Sequence, residues 1–351
     1  MAELNYHEKL KRANIEKLRQ MEKELPSFCT VFFRGIADRV SPRTMVAYAY
    51  DLQIFFHYMN ENVLEPHYDT ISDIRLDALD RIGKLDLENF MDHLSYYTGT
   101  DGVEHTNDER GKARKLSAVK SLFNYFFESE LIKTNPAAII HTPKIHEKNI
   151  IRLDPDEVAK LLDIVENGSD QESKQQRHFH DRTVVRDLCL LTLLLGTGIR
   201  VSECVGLNIE DVDFDNGAIR IIRKGGNEAR VYFGEEVEDT LRQYLSKRRE
   251  IMTLPGHESA LFLSIQNRRI TVRAVENLVK KYASQVTTLK KITPHKLRST
   301  YGTTLYRESN DIYLVATVLG HKDVNTTRKH YASIDDEQKR KAAKFVKLRS
   351  E

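Results

Sequence analysis

The run Val184-Val185-Arg186-Asp187-Leu188-Cys189-Leu190-Leu191-Thr192-Leu193-Leu194-Leu195 passes directly into Gly196-Thr197-Gly198-Ile199-Arg200-Val201-Ser202-Glu203. The first part reads as a strongly apolar helix, and Gly-Thr-Gly breaks it. Arg200 follows the break with Glu203 three residues on, a spacing that suits either a salt bridge that fixes the arginine or a simple surface pair. Downstream, Ala218 to Arg223 and Glu228 to Phe233 read as two strands joined by the glycine-rich turn Lys224-Gly225-Gly226-Asn227. Helices are expected to return from Glu235 to the C-terminus. The last sixty residues hold His295-Lys296-Leu297-Arg298, then Leu319-Gly320-His321, then Thr326-Thr327-Arg328-Lys329-His330-Tyr331.

Upstream the chain is helical in pattern. Residues 1 to about 25 form a charged helix ended by Pro26, and Phe28, Val31, Phe32 and Ile36 mark a second short face. Ser41-Pro42 supplies an N-cap followed by proline at the first helical position. Met45, Tyr48, Ala49, Leu52, Phe55, Phe56 and Met59 then recur at helical spacing. A helix is expected around Leu85 to Tyr97 and a polar loop from Thr98 to Asp108. The next helix carries an apolar stripe of Leu116, Val119, Phe123 and Phe126, with Arg110, Lys112, Arg114, Lys115 and Lys120 in its first half. Such a charge run is ordinarily a solvated face; beside a phosphodiester site it becomes a backbone-contacting one. Asn135-Pro136 begins a last short helix, His141 to Arg152 reads as a linker, and Asp154-Pro155-Asp156-Glu157 opens the helix that starts a second domain. The segment Glu166 to Arg182 reads as an exposed insertion.

At 351 residues the chain has room for two domains with separate cores, and 40% apolar and 30% charged residues describe an ordinary globular protein. The formal net charge of +2 is too small to announce nucleic acid by itself, so the case rests on where the 54 Lys and Arg residues lie. Cys29, Cys189 and Cys204 offer neither a disulfide framework nor metal-ligand spacing and suit a reducing compartment. No apolar run reaches the roughly 20 residues of a membrane span, and the N-terminus has no signal-peptide core. A cytoplasmic location and no membrane partner are expected.

The ordered set of two arginines, a hairpin lysine, two histidines and a late tyrosine fits attack on a phosphodiester without a metal. A pentavalent phosphorus carries extra negative charge on its non-bridging oxygens, and planar, permanently charged guanidinium groups grip such oxygens, so Arg200 and Arg298 are the clamp candidates. Lys224 at a hairpin tip is the candidate that protonates the departing 5′ oxygen. His295 and His321 are candidates to accept the tyrosine proton or to donate a hydrogen bond in the transition state.

These residues give the chain a resemblance to the tyrosine recombinase (phage integrase) family, whose catalytic fold is shared with type IB topoisomerases. Thr197-Gly198-Ile199-Arg200-Val201-Ser202-Glu203, Lys224-Gly225-Gly226-Asn227, His295-Lys296-Leu297-Arg298, Leu319-Gly320-His321 and Tyr331 carry it. Ser41-Pro42-Arg43-Thr44, Leu116-Ser117-Ala118-Val119-Lys120 and Asn135-Pro136 resemble the family's core-binding domain. The resemblance covers roughly residues 27 to 345 and points to the compact, Xer-like or mobile-element integrase branch. It implies a mainly α fold with a small antiparallel β-sheet, arranged as a two-domain, C-shaped DNA clamp. The expected domains are an N-terminal helical extension over 1–26, a helical core-binding (SAM-like) domain over 27–140, a linker over 141–152 and a catalytic domain over 153–351.

Tyr331 would be the nucleophile forming a 3′-phosphotyrosine, and Arg200, Lys224, His295, Arg298 and His321 would assemble the pocket. Some members share the ten-residue spacing from His321 to Tyr331 and others are one shorter. No other tyrosine follows His321. Phosphate contacts are expected from Arg43, Arg110, Lys112, Arg114, Lys115, Lys120, Arg223 and Arg230, and from basic residues over 280–298. The implied partners are double-stranded DNA with paired recombination sites and further copies of the chain in a tetramer that exchanges strands through a Holliday junction. No metal, ATP or other cofactor is implied. An amphipathic segment after Asp335, with Ala342, Ala343, Phe345, Val346 and Leu348 as its apolar residues, would dock either on a neighbouring protomer or on its own. Three rivals remain: a DNA-binding descendant that has lost the chemistry, a type IB topoisomerase-like activity of a monomer, and a metal-dependent relaxase signalled by His178-Phe179-His180.

Overall fold

The computed structural model describes residues 5–100, 102–144, 150–168, 174–223, 226–321 and 324. Lys224, Tyr331 and the segment after Asp335 lie outside them. The chain divides into two compact units, Met1–Glu147 and Lys148–Glu351.

The first unit is built on α1 (Tyr6–Met21), α2 (Phe28–Ile36), α3 (Pro42–Asn62), α4 (Lys84–His93) and α5 (Glu109–Glu128). Ser41 caps α3 by accepting from the Thr44 N–H, and Pro42 occupies the first turn, where its missing N–H costs nothing. Leu52, Phe55, Phe56 and Met59 of α3 are fully buried beside Leu116, Val119, Phe123 and Phe126 of α5. Edge-on aromatic pairs knit this core, among them Phe28 with Phe56 at 5.7 Å, Phe28 with Phe126 at 5.5 Å and Phe55 with Phe90 at 5.3 Å. On α2 the buried face is Phe28, Cys29, Phe32, Phe33 and Ile36, whereas Val31 points outward.

The expected helix around Leu85 to Tyr97 stops at His93. Tyr96–Thr98 (β1) instead pairs antiparallel with Glu104–Thr106 (β2), inside the stretch expected to be a loop. The aromatic and Thr side chains suit a pleated ribbon, and the Tyr97 and His105 rings stack across it at 5.2 Å. Asn107 then fastens the hairpin to its neighbours, donating to the Leu94 carbonyl and accepting from Lys115 at 2.7 Å.

The second unit contains α6 (Pro155–Asn167), α7 (Lys174–Thr197), α8 (Val201–Gly206), β3 (Val212–Asp213), β4 (Ala218–Ile222), β5 (Glu228–Tyr232), α9 (Glu235–Glu250), α10 (Val272–Val286), α11 (Pro294–Ser309) and α12 (Ile312–Leu319). The strands form one antiparallel sheet in the order β3-β4-β5. Two expectations are corrected. Residues 174–182, read as part of an exposed insertion, are exposed at Gln175, Arg177, His178, Phe179, Asp181 and Arg182 but form the first turns of α7. They contain no Gly or Pro, so the helix extends through them, and His180 is buried. Residues 251–271, expected to be helical, are turns with isolated bridges at Asn208–Ala260 and Leu263–Arg269. Cys29, Cys189 and Cys204 are completely buried, and burial pushes all three thiols up from their ordinary pKa. Among the described residues, no helix is long and apolar enough to cross a membrane.

In the first unit, Asp51 is fully buried on α3. Its Oδ2 accepts from Arg114 of α5, and its Oδ1 has no partner among the described residues. Burial raises its pKa to about 6, against the opposing pull of Arg114 and Lys115. A folded-state value above the unfolded one of about 3.9 means that ionisation opposes folding. The contribution of this group is therefore full below the unfolded value and is lost as pH rises through about 6. Thermal melts of the full chain should show wild type losing more stability than Asp51→Asn between roughly pH 4.5 and pH 7. Parallel slopes for the two proteins would refute this assignment.

Candidate active site

The second unit gathers its sequence-distant motifs through one side chain. Arg298, on the first turns of α11 and 5% exposed, donates from Nη1 to the Gly198 carbonyl at 2.6 Å and from Nη2 to the Leu319 carbonyl. Gly198 precedes Arg200 by two residues, and Leu319 precedes His321 by two. The turn after α7, helix α11 and the turn after α12 thus meet at a single guanidinium.

Glycine is required at both turns. Gly198 lies at φ +63° and closes α7 by donating to the Leu194 carbonyl at 3.1 Å, while the Tyr301 ring of α11 fills the space a Cβ would need. Gly320 also lies at φ +63°. Its N–H and that of His321 reach back to the last turn of α12, His321 to Ala316 at 2.9 Å, in a helix-ending motif that only a left-handed residue completes easily.

Arg200 is the N-cap of α8. Glu203, 4% exposed, accepts from the Arg200 main-chain N–H at 2.7 Å and from its Nη1 at 2.9 Å, while the Arg200 side chain remains 37% exposed. Of the two readings the spacing allowed, the built arrangement is the salt bridge that fixes the arginine. Arg269 supports the same helix, donating to the carbonyls of Val205 and Leu207 at its C-terminal end, at 3.0 and 2.7 Å. Sequence reading missed Arg269, since nothing local distinguishes a carbonyl-capping arginine from a surface one. His295 is exposed on the first turn of α11, three residues before Arg298 and so on a neighbouring position of the same helix.

Several expected phosphate contacts have other partners. Lys115 is buried against Asn107, Lys112 donates to Ser95 Oγ at 2.6 Å, and Arg114 is half exposed with one bond to Asp51. Of these, Lys115 is the most enclosed, its ammonium held by Asn107. Arg43, Arg110 and Arg230 are exposed and Lys120 is half-buried. Lys290, in the basic 280–298 stretch, is tied to Asp154 and Glu157 at 2.8 and 2.6 Å. Arg223 is half-buried and donates to the Val318 carbonyl at 3.0 Å rather than projecting from the hairpin. His178 and His180 fall at i and i+2 of α7, the first exposed and the second buried, so the two rings do not share a face. Among the described residues no group of three or more His, Cys, Asp or Glu could hold a metal ion.

Arg200, fixed by Glu203 and 37% exposed, and Arg298, bonded to the Gly198 carbonyl, set two guanidinium groups at the Gly198 turn. An anion offering several oxygens in a plane suits such an arrangement.

The phage integrase family model matches residues 151–338, more than half of the chain. The chain is 33% identical to the tyrosine recombinase XerC of Caldanaerobacter subterraneus subsp. tengcongensis over 349 residues, covering 97% of this chain and 88% of that protein. It is 28% identical to the tyrosine recombinase XerS of Streptococcus thermophilus over 351 residues, covering 93% and 97%. The fold is similar to that of the XerH site-specific recombinase bound to a difH substrate, with a TM-score of 0.60 at 23% identity over 83% of this chain and 76% of that one. It is also similar to a lambda integrase dimer bound to a COC′ core site, with a TM-score of 0.60 at 16% identity over 87% and 94%.

Replacing Glu203 by Ala removes both bonds that set the start of α8 and leaves Arg200 without its carboxylate. Discounted for the exposure of Arg200, the loss should be about 1–2 kcal/mol, the range of a lost helix cap, read as a lowered denaturation midpoint at unchanged slope.

Proposed function

Because the chain belongs to the phage integrase family of tyrosine recombinases, we propose that it cuts and rejoins duplex DNA at paired specific sites, with Arg200, Lys224, His295, Arg298, His321 and Tyr331 as one phosphoryl-transfer site. The observation that carries this reading is the Arg298 bridge, since one guanidinium joins the turn that presents Arg200 to the turn that presents His321.

In the proposed reaction the Tyr331 phenolic oxygen bonds to the scissile phosphorus and the bond to the 5′ oxygen breaks, leaving a 3′-phosphotyrosine. The leaving oxygen takes a proton from Lys224, and the tyrosine proton passes to a neutral histidine, His295 or His321, the other donating a hydrogen bond to the phosphoryl oxygens. Arg200, held by Glu203, and Arg298, held by the two carbonyls, meet the charge that develops on the non-bridging oxygens without having to reorganise. A 5′-hydroxyl of the partner strand then attacks the phosphotyrosine and releases the tyrosine. The bond count is unchanged, so the energy of the phosphodiester is conserved and no nucleotide is consumed. Pairing of sites, a tetramer on DNA and exchange through a Holliday junction belong to the same proposal, as does action on cytoplasmic DNA. The first unit would contribute phosphate contacts through exposed Arg43 and Arg110 and half-buried Lys120.

Incubation with a nicked suicide substrate in EDTA tests this reading. Wild type should form a covalent protein–DNA adduct and Tyr331→Phe should form none. An adduct that persists in Tyr331→Phe overturns the nucleophile, and one that requires added metal overturns the chemistry. Relaxation of a plasmid lacking any paired site by the monomer would replace recombination with topoisomerase action.

A further inference from the structure

Arg223, expected as a phosphate contact, turns instead toward the end of another helix. Its main chain is fixed at the root of the hairpin, the N–H donating to Asn227 at 2.8 Å and the carbonyl accepting from Gly226 at 3.0 Å. From there the side chain reaches across 95 positions of sequence to α12, where Nη2 donates to the Val318 carbonyl at 3.0 Å. The guanidinium lies so close over Gly320 that a Cβ on that residue would fall inside it, and Nε is buried without a partner among the described residues.

Helix α12 has eight residues, and its final carbonyls have no acceptor role within the helix. Two of them, Val318 and Leu319, are taken by guanidinium groups from two different elements, Arg223 and Arg298. Positive charge is favoured at this end of a helix dipole, and a planar fork fixes direction where a point charge does not. The chain leaves α12 through Gly320 in the left-handed region, and His321 is the next residue. The donors on the last two carbonyls of α12 and the plate over Gly320 therefore set where the imidazole begins.

We propose that Arg223 is a positioning residue for His321: it clamps the end of α12 from the hairpin side, as Arg298 clamps it from α11, and so holds the histidine at the site. This rests on the role given to His321 above. It also replaces the expectation that Arg223 contacts a DNA phosphate, and the two roles make opposite predictions.

The test is a double-mutant cycle in single-turnover cleavage of the suicide substrate, with Arg223→Ala, Arg223→Lys, His321→Ala and the double Arg223→Ala/His321→Ala, and with DNA affinity measured across salt. Arg223→Ala should slow cleavage by about 10- to 100-fold, the size of an effect from ångström-scale misplacement, at unchanged affinity and salt slope. Arg223→Lys should fail to restore the rate, and Arg223→Ala should add nothing in the His321→Ala background. Rates that multiply in the double variant would overturn the proposal. So would recovery by Arg223→Lys with an Arg223→Ala salt slope shallower by about 1, the mark of a phosphate contact. His321→Ala cleaving at the wild-type rate would instead overturn the role of the histidine, and the proposal with it. Thermal melts control for folding; should Arg223→Ala prove unfolded, Arg223→Gln takes its place in the cycle.

Discussion

A main-chain carbonyl at the end of a helix needs a donor, and in the catalytic unit arginines supply it. Arg298 bonds the carbonyls of Gly198 and Leu319, Arg223 that of Val318, Arg269 those of Val205 and Leu207, Arg248 that of Ala260, and Arg186 that of Leu263. The Arg298, Arg223 and Arg269 bonds join elements far apart in sequence, Arg248 and Arg186 serve carbonyls of the 251–271 turns in the same way, and all use a group that stays charged at any physiological pH. The geometry of the turns follows from this, because two guanidinium anchors and one tyrosine ring define the space around Gly198 and Gly320 and leave no room there for a side chain.

The same groups provide shape and electrostatics together. A cation held by carbonyl oxygens keeps its net charge, whereas one held by a carboxylate is neutralised as a pair. Arg298 is anchored by carbonyls in this way, while Arg200 shares its field with Glu203. The first unit is organised differently. Its aliphatic core is knit by edge-on phenylalanine pairs, and its buried carboxylate, Asp51, is left half satisfied by the half-exposed Arg114. Buried charge there is a constraint on how α3 meets α5 rather than a large source of stability.

Much of this was legible in the sequence. Ser41-Pro42 and Asp154-Pro155 announced helix starts, the α5 stripe announced its buried face, and the hairpin turn separated β4 from β5, because each signal acts within a few residues of itself. The family followed from the order of the Arg200, Lys224, His295, Arg298, His321 and Tyr331 motifs. What escaped was what depends on distant partners. His180 is polar by composition and buried by the helix it extends; Tyr96 to Thr106 forms a hairpin through a turn that reads as a loop; Lys115 sits in a basic run and is turned inward to Asn107. Arg223 and Arg269 look like any surface arginine until the carbonyls they serve are placed beside them.

The cysteines have a practical meaning beyond packing. Cys29, Cys189 and Cys204 are wholly enclosed, and burial disfavours the thiolate that reacts with electrophiles and oxidants. The natural chain is therefore already a silent background for thiol chemistry. A single cysteine introduced on an exposed helix would take a maleimide dye or a nitroxide at that one position, and motions of the two units on a substrate become measurable by fluorescence or spin labelling without first stripping the protein of its own sulfur.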